Sequence, residues 1–283
     1  MAKTGPQQYP GASQAYRYQG VYGGDSMESN VIVWHTTEGT SLPTYGGGAE
    51  APNFTAVPDF KAKRLVWYQH FDFDTSSRAL VNLGGGVETN TLNACQVEIV
   101  ATCDPATHTK WAKAGIAHLY TPELPDWAIR DLAAFAKWAN ENHGVPLSSG
   151  LTFKAYPDSY GNSSVRMTAS RWNAFRGHCG HQHVPENLHG DPGAFPMADI
   201  LNAAKGGTTT TTPSKEDTNM DPIDVWKYRN GTQDAAAKKQ TGKGIPDAYG
   251  YLVTMAKTVE AQDKKIDALV AAVADLAKHV KGA

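Results

Sequence analysis

The 283-residue chain carries 26 lysines and arginines against 28 acidic residues, a net charge of -2 at pH 7. This balance gives no reason to expect nucleic acid or an anionic membrane as the principal partner. A hydrophobic content of 41% suffices for one sizeable core and a smaller appended region.

The N-terminal segment, residues 1–28, is rich in Gly, Pro, Gln and Tyr and shows no sustained period. We therefore predict an extended arm that lies on the main domain. It lacks the apolar core of a signal peptide, and no later stretch approaches the roughly 20 apolar residues of a membrane helix. The expected location is a cytoplasm, with no membrane partner.

Three β-branched or aromatic segments predict buried strands, at residues 31–34 ending at His35, at 64–73 and at 96–100. Glycine-rich turns lie between them. A helix is predicted to begin at Thr121-Pro122-Glu123 and to stop near Gly144, and a second helix is predicted over 194–204. Interspersed strands and helices indicate an α/β or α+β fold around one mixed sheet.

Residues 206–221 begin with a run of glycine and threonine and predict a linker. In the region 222–283 beyond it, apolar residues from Leu252 to Val280 alternate three and four apart, broken once by Gln262. This heptad seam is typical of a parallel two-stranded coiled coil and predicts self-association. The alternative is an amphipathic helix that folds back on Val225-Trp226 or on the main domain.

Histidine, cysteine and aspartate are concentrated in residues 177–193, among glycines and prolines. A metal site is the first hypothesis, because a loop can bring such side chains to one point. A catalytic zinc needs three protein ligands and an open position. His35, at the end of a buried strand, is the natural third ligand beside two from this loop.

Three segments, Val31 to Gly39, Thr89 to Ile99 and Gly180 to Gly193, resemble the signature regions of the type 2 N-acetylmuramoyl-L-alanine amidases. This family includes many phage endolysins and shares its fold with the peptidoglycan recognition proteins. The similarity covers roughly residues 29–204 and implies a mixed α/β catalytic domain over 29–205, with a central sheet flanked by helices.

The resemblance also implies roles for individual residues. His35, His181 and Asp191 would ligate Zn²⁺, and Glu98 falls at the position of the family's catalytic glutamate. His189 lies two positions before the metal-binding aspartate, where many members carry a lysine that stabilises the transition state.

Other residues carry weaker expectations. Gln69 lies close to where some phage members place a tyrosine, so a tyrosine contribution is not assumed here. Tyr45 and Tyr68 are only weak candidates for such a role. His70 is expected either to touch substrate or to be structural. The remaining members of the cluster are expected to pack or hydrogen-bond around the loop (His178, His183 and Cys179), and the cysteines, with Cys95 and Cys103, to be free and mostly buried thiols.

The expected function is that of an endolysin from a phage of an actinobacterial host. It would hydrolyse the amide between N-acetylmuramic acid and L-alanine, with peptidoglycan as partner and a C-terminal region that binds wall or forms homo-oligomers. It would accumulate in the host cytoplasm and be released to act on the cell wall. The alternatives are a non-catalytic peptidoglycan-binding module and a zinc hydrolase that trims soluble muropeptides.

Overall fold

A computed structural model describes residues 5–207 and four helical positions further on, Gln262, Lys265, Ile266 and Leu269. The chain divides into two compact units, residues 1–211 and 212–283. Apart from those four positions, the predicted tail (222–283) and its self-association lie outside the described residues, as does nearly all of the predicted linker. No helix in the described part of the chain is long and apolar enough to cross a membrane.

A five-stranded mixed sheet forms the centre of the first unit. Its strands are β1 (Val31–Thr36), β2 (Phe54–Asp59), β3 (Arg64–Gln69), β4 (Ala94–Ile99) and β5 (Gly177–Gly180). The spatial order is β3-β2-β4-β1-β5. All neighbours are parallel except β2 and β3, which form an antiparallel hairpin. The predicted mixed α/β class is confirmed.

Both faces of the central strands are buried, which explains their nearly continuous apolar sequences. One face, with Trp34 and Val97, packs against α3 (Asp126–His143) and α5 (Met197–Ala204). The other, with Val33 and Ala94, packs against Trp172 of α4 (Ala169–Ala174). The remaining α-helices within residues 5–207 are α1 (Gln19–Tyr22) and α2 (Pro105–Lys113).

Three predicted boundaries were wrong. The helix predicted over 194–204 begins only at Met197, after Pro196. Residues 121–123 form a separate 3-10 turn, and α3 begins only at Asp126, after Pro125. Strand β3 ends at Gln69 rather than at residue 73. The backbone of residues 70–73 instead bonds to Asn53 and to the N-terminal segment, through Tyr18 N–H to the His70 carbonyl and Phe73 N–H to the Gln7 carbonyl.

The expectation of a loop throughout residues 177–193 was also wrong. Gly177–Gly180 forms edge strand β5, paired in parallel with β1, and His181–His183 forms a 3-10 turn directly after it. Because β5 continues the sheet beside β1, His181 follows the strand end next to His35. A regular element therefore places the ligand that the sequence assigned to a loop.

The N-terminal segment pairs with the free edge of the sheet. Ser13 N–H donates to the Trp67 carbonyl at 2.8 Å, and Gln69 N–H donates to the Ser13 carbonyl at 2.9 Å. Gln7 and Asp74 exchange hydrogen bonds through side chain and backbone. These contacts cover an edge that would otherwise expose unpaired backbone groups.

Candidate metal centre and cleft

Three side chains converge where the parallel strands end. His35 is the penultimate residue of β1, His181 follows β5, and Asp191 lies in the loop beyond. One potential ligand atom from each lies within 4.8 Å of the others. The His35 and His181 Nδ1 atoms are 3.0 Å apart, and His181 Nδ1 is 3.2 Å from Asp191 Oδ1. The group is buried and could hold a metal ion.

Asn187 determines which nitrogen of His181 is free. The Asn187 Oδ1 atom accepts from the backbone N–H of Val81, so this oxygen is an acceptor, and it lies 3.0 Å from His181 Nε2. Nε2 therefore carries a proton, and in the tautomer with a single ring proton the lone pair is on Nδ1. Two acceptors, His181 Nδ1 and Asp191 Oδ1, then face each other, an arrangement that a cation between them would stabilise.

The charge states of the other two ligands suit a cation as well. Burial lowers the pKa of His35 to about 4, so its imidazole is neutral near pH 7. Burial alone would raise the pKa of Asp191, but His181 and His35, when their facing nitrogens are protonated, outweigh it and hold the pKa well below its usual range. The Thr36 N–H also donates to Asp191 Oδ2 at 3.1 Å. Neutral imidazoles and an ionised carboxylate are the ligand forms that metals require.

Glu98 lies beside the three ligands, since it is the register partner of His35 across β4 and β1. Its Oε2 atom is shielded from solvent and has no hydrogen-bond partner among the described residues. Burial, followed by the charges of Asp191 and Glu38, raises the pKa of Glu98 well above its usual value. A carboxyl group with a raised pKa binds a proton more readily than an ordinary glutamate and is suited to proton transfer.

His189 stands at the solvent side of the same group. Its side chain is 70% exposed, its Nδ1 lies 3.9 Å from Asp191 Oδ1, and its ring centroid is 4.9 Å from that of His181. A side chain in this position can meet a bound molecule without rearranging the core. The structure thus brings together all five residues that the sequence singled out.

Four of these residues, Glu98, His181, His189 and Asp191, line an open cleft of about 880 Å³, whereas His35 is buried. Its wall is mostly acidic or uncharged, and among the described residues that line it Arg78 is the one permanent cation. Its other lining residues include Thr36, Thr37, Glu38, Tyr45, Glu50, Val81, Tyr160, Glu186, Asn187 and Leu188. A cleft of this size accommodates an extended ligand that passes across the metal centre.

Sequence reasoning did not single out Asn187 or Glu38. Glu38 accepts hydrogen bonds from Thr36 Oγ1 and the Cys103 N–H and thereby ties the end of β1 to the loop before α2. Neither residue has a local pattern that marks its role. The position of Asn187, within the cluster of potential ligands, was the one available signal.

The remaining histidines of the cluster are structural. His178 accepts from Trp34 Nε1, and burial lowers its pKa to about 3. His183 accepts from the Gly180 N–H through Nδ1 and contacts the Thr152 carbonyl through Nε2, and burial lowers its pKa to about 4. All three cysteines are free and buried, as expected, and Cys179 packs in the core instead of joining the ligand group.

The weaker candidates, Gln69, His70, Tyr45 and Tyr68, differ in whether they reach the cleft. Gln69 is buried and bonds to the Tyr9 N–H and the Gln7 carbonyl, so it holds the N-terminal segment. His70 is fully buried between the Tyr16 carbonyl and Thr55 and cannot touch a ligand directly. Of the two tyrosines, Tyr45 lines the cleft, whereas Tyr68 packs against Tyr16.

No known family model matches the chain, and no curated protein matches it.

Proposed function

We propose that the protein is a zinc-dependent N-acetylmuramoyl-L-alanine amidase of the endolysin kind. The observation that carries this proposal is the convergence of two imidazoles and a carboxylate beside Glu98, on the wall of one open cleft. A binding module without turnover has no need of a shielded carboxyl group next to a metal centre.

The donor set favours zinc over harder metals. Two nitrogens and one carboxylate oxygen, with an open side toward the cleft, match the three-ligand pattern of catalytic zinc, whereas magnesium and calcium prefer all-oxygen sites. Zinc held by His35, His181 and Asp191 would polarise the scissile carbonyl and lower the pKa of a water molecule.

Glu98 would move the proton during hydrolysis. Water adds to the carbonyl carbon, and the Glu98 carboxylate takes the proton that the water loses. Burial raises the pKa of Glu98, which makes its carboxylate a stronger base toward the water. The protonated Glu98 would then give the proton to the departing nitrogen as the carbon–nitrogen bond breaks. The products are the muramic acid carboxylate and a stem peptide with a free L-alanine amine.

His189 would act on the carbonyl oxygen. This oxygen gains negative charge when water adds, and a nearby donor stabilises the charge more in the transition state than in the ground state. The exposed His189 ring, beside the metal ligands, is placed to donate from one ring nitrogen.

The substrate would be polymeric peptidoglycan, reached by a phage enzyme that accumulates in the host cytoplasm and is released to the wall. Stem peptides carry carboxylates, which Arg78 can attract within an otherwise acidic or uncharged cleft. The guanidinium is held by the Ala49 carbonyl at 2.8 Å and by the Tyr22 ring, with its carbon 5.2 Å from the ring centroid.

The direct test is digestion of purified peptidoglycan by the zinc-loaded protein, with mass spectrometry of the released peptides. We expect free stem peptides with an L-alanine amino terminus. Glu98→Gln should lower the rate about 10²- to 10⁴-fold, because it removes the proton carrier and keeps the side-chain volume. Glu141→Gln, on the exposed surface of α3, is the matched control and should be unaffected.

Two outcomes would contradict the proposal. Wild-type protein that sediments with the wall and releases no peptide would favour the non-catalytic binding module. Release of peptides at the same rate by Glu98→Gln and wild type would show that Glu98 is not the proton carrier.

A further inference from the structure

A relay of hydrogen bonds connects the cleft to the N-terminal segment. The Tyr45 hydroxyl lies 2.7 Å from Thr55 Oγ1, and Thr55 Oγ1 lies 2.9 Å from His70 Nε2. On the far side of the imidazole, His70 Nδ1 lies 2.7 Å from the Tyr16 carbonyl oxygen. Tyr45 lines the cleft, and Thr55 and His70 are buried behind it.

The direction of each hydrogen bond in this relay follows from the Tyr16 carbonyl at its end. A carbonyl only accepts, so His70 Nδ1 carries the proton. The imidazole is neutral because burial lowers its pKa, and Nε2 is therefore an acceptor. The single Thr55 proton goes to Nε2, and the Tyr45 proton consequently goes to Thr55. The phenol oxygen is left with its lone pairs and no proton to give.

The phenol oxygen of Tyr45 lies close to Glu98, the proposed proton carrier, through its hydrogen bond to Thr55. Thr55 is the register partner of Glu98 across β2 and β4, so the Tyr45 hydroxyl is bonded to the immediate neighbour of the proposed proton carrier. Burial, followed by the charge of Glu98, raises the pKa of Tyr45, and the phenol stays neutral at working pH.

The loop that carries Tyr45 is held in place by the same N-terminal segment. Tyr45 has a positive φ of 51°, an uncommon conformation that the surroundings must maintain. The Tyr18 ring stacks on His70 at 5.4 Å and lies so close to Gly48 that a Cβ there would be 2.3 Å from the ring. The segment thus fixes both ends of the relay.

We infer that Tyr45 is a substrate-binding residue whose phenol oxygen accepts a hydrogen bond from a peptide N–H of the substrate. Thr55, His70 and the Tyr16 carbonyl are positioning groups that hold it as an acceptor. The inference rests on the proposed function for the identity of the substrate. The donor order depends only on the hydrogen bonds of the relay.

The test uses the full-length, zinc-loaded chain and a muramoyl dipeptide analogue with a reduced, uncleavable scissile bond. Calorimetry should show affinity about three- to tenfold lower for Tyr45→Phe, the range for one neutral hydrogen bond. Tyr68→Phe is the matched control and should bind like wild type. Thr55→Val should also weaken binding, and the double variant Tyr45→Phe/Thr55→Val should be no weaker than Tyr45→Phe alone, because both changes remove one linked unit.

Nitrogen-15 NMR of the histidine rings provides a readout that is independent of substrate. We expect His70 to carry its proton on Nδ1 in the wild type, and a proton on Nε2 would overturn the donor order. Equal affinity of Tyr45→Phe and wild type would overturn the substrate contact alone. Failure of the wild type to bind the analogue would contradict both the contact and the proposed function.

Discussion

Asn187 shows how one neutral side chain can orient a candidate metal ligand. Its amide oxygen is identified as an acceptor by the Val81 N–H, and this assignment places the His181 proton on Nε2. The amide nitrogen in turn donates to the Val81 and Pro185 carbonyls, so the orientation is held from both ends. In the tautomer with a single ring proton, the lone pair of His181 Nδ1 therefore faces His35 and Asp191.

Replacing Asn187 by Ala should weaken zinc binding about 10- to 100-fold, the usual effect of removing a partner that orients a ligand histidine. Competition with a chromophoric chelator measures this affinity directly. Asn173→Ala, at an exposed position on α4, serves as the control. Unchanged zinc affinity in Asn187→Ala would mean that the His181 tautomer is set in some other way.

At the scale of elements, a buried contact between a histidine and a carboxylate connects the C-terminal end of α3 to the chain after β3. His143, the last residue of α3, lies 3.2 Å from Asp74 through Nδ1, and both side chains are fully buried. The N-terminal segment completes the group, since Gln7 donates to Asp74 and the Pro6 carbonyl lies 3.0 Å from His143 Nε2. Three separate parts of the chain thus meet at one carboxylate.

This group predicts a dependence of stability on pH. Burial alone would raise the pKa of Asp74, but hydrogen bonds from His143, Gln7 and the Ser29 N–H outweigh it and hold the pKa below the usual 3.8. A depressed carboxyl pKa contributes stability above the unfolded value of 3.8, and that contribution is lost as the pH falls through the lower, folded value.

Urea unfolding midpoints test the prediction. They are measured from about pH 6 down to about pH 3, the range in which the Asp74 carboxyl group begins to take up its proton. Asp74→Asn should be less stable than wild type at pH 6, and the difference should shrink as the pH falls below 3.8. Asp158→Asn, at an exposed position, should follow wild type throughout. A difference that stays constant over this range would exclude ionised Asp74 as its source.

At the scale of the whole molecule, the division into two compact units allows self-association to be measured with and without the second unit. We expect residues 1–205 alone to be monomeric and the full chain to self-associate, because the heptad seam of residues 252–280 predicts a coiled coil. Light scattering of both forms at equal concentration measures this. If both forms have the mass of a monomer, the coiled-coil prediction is wrong, and a tail helix that folds back is favoured.

Local patterns in the sequence determined the main elements of the first unit. Buried strands β1 and β4 follow from β-branched runs, and the core face of α3 follows from apolar residues such as Ile129, Leu132 and Ala136 at helical spacing. The candidate ligand residues, together with Glu98 and His189, were marked by the resemblance to the amidase signature regions and not by a local pattern. The predictions of strands and helices succeeded because a strand or helix reports its buried face within a few neighbouring residues.

Only the tertiary structure decided which groups act on one another. The relay from Tyr16 through His70 and Thr55 to Tyr45, and the contact of Asn187 with His181, depend on segments brought together by the sheet. Short β5 was missed because its glycines and histidines have low strand propensity and form a strand only through pairing with β1. Tautomers, donor order and edge pairing are properties of contacts between distant residues, and no local pattern encodes them.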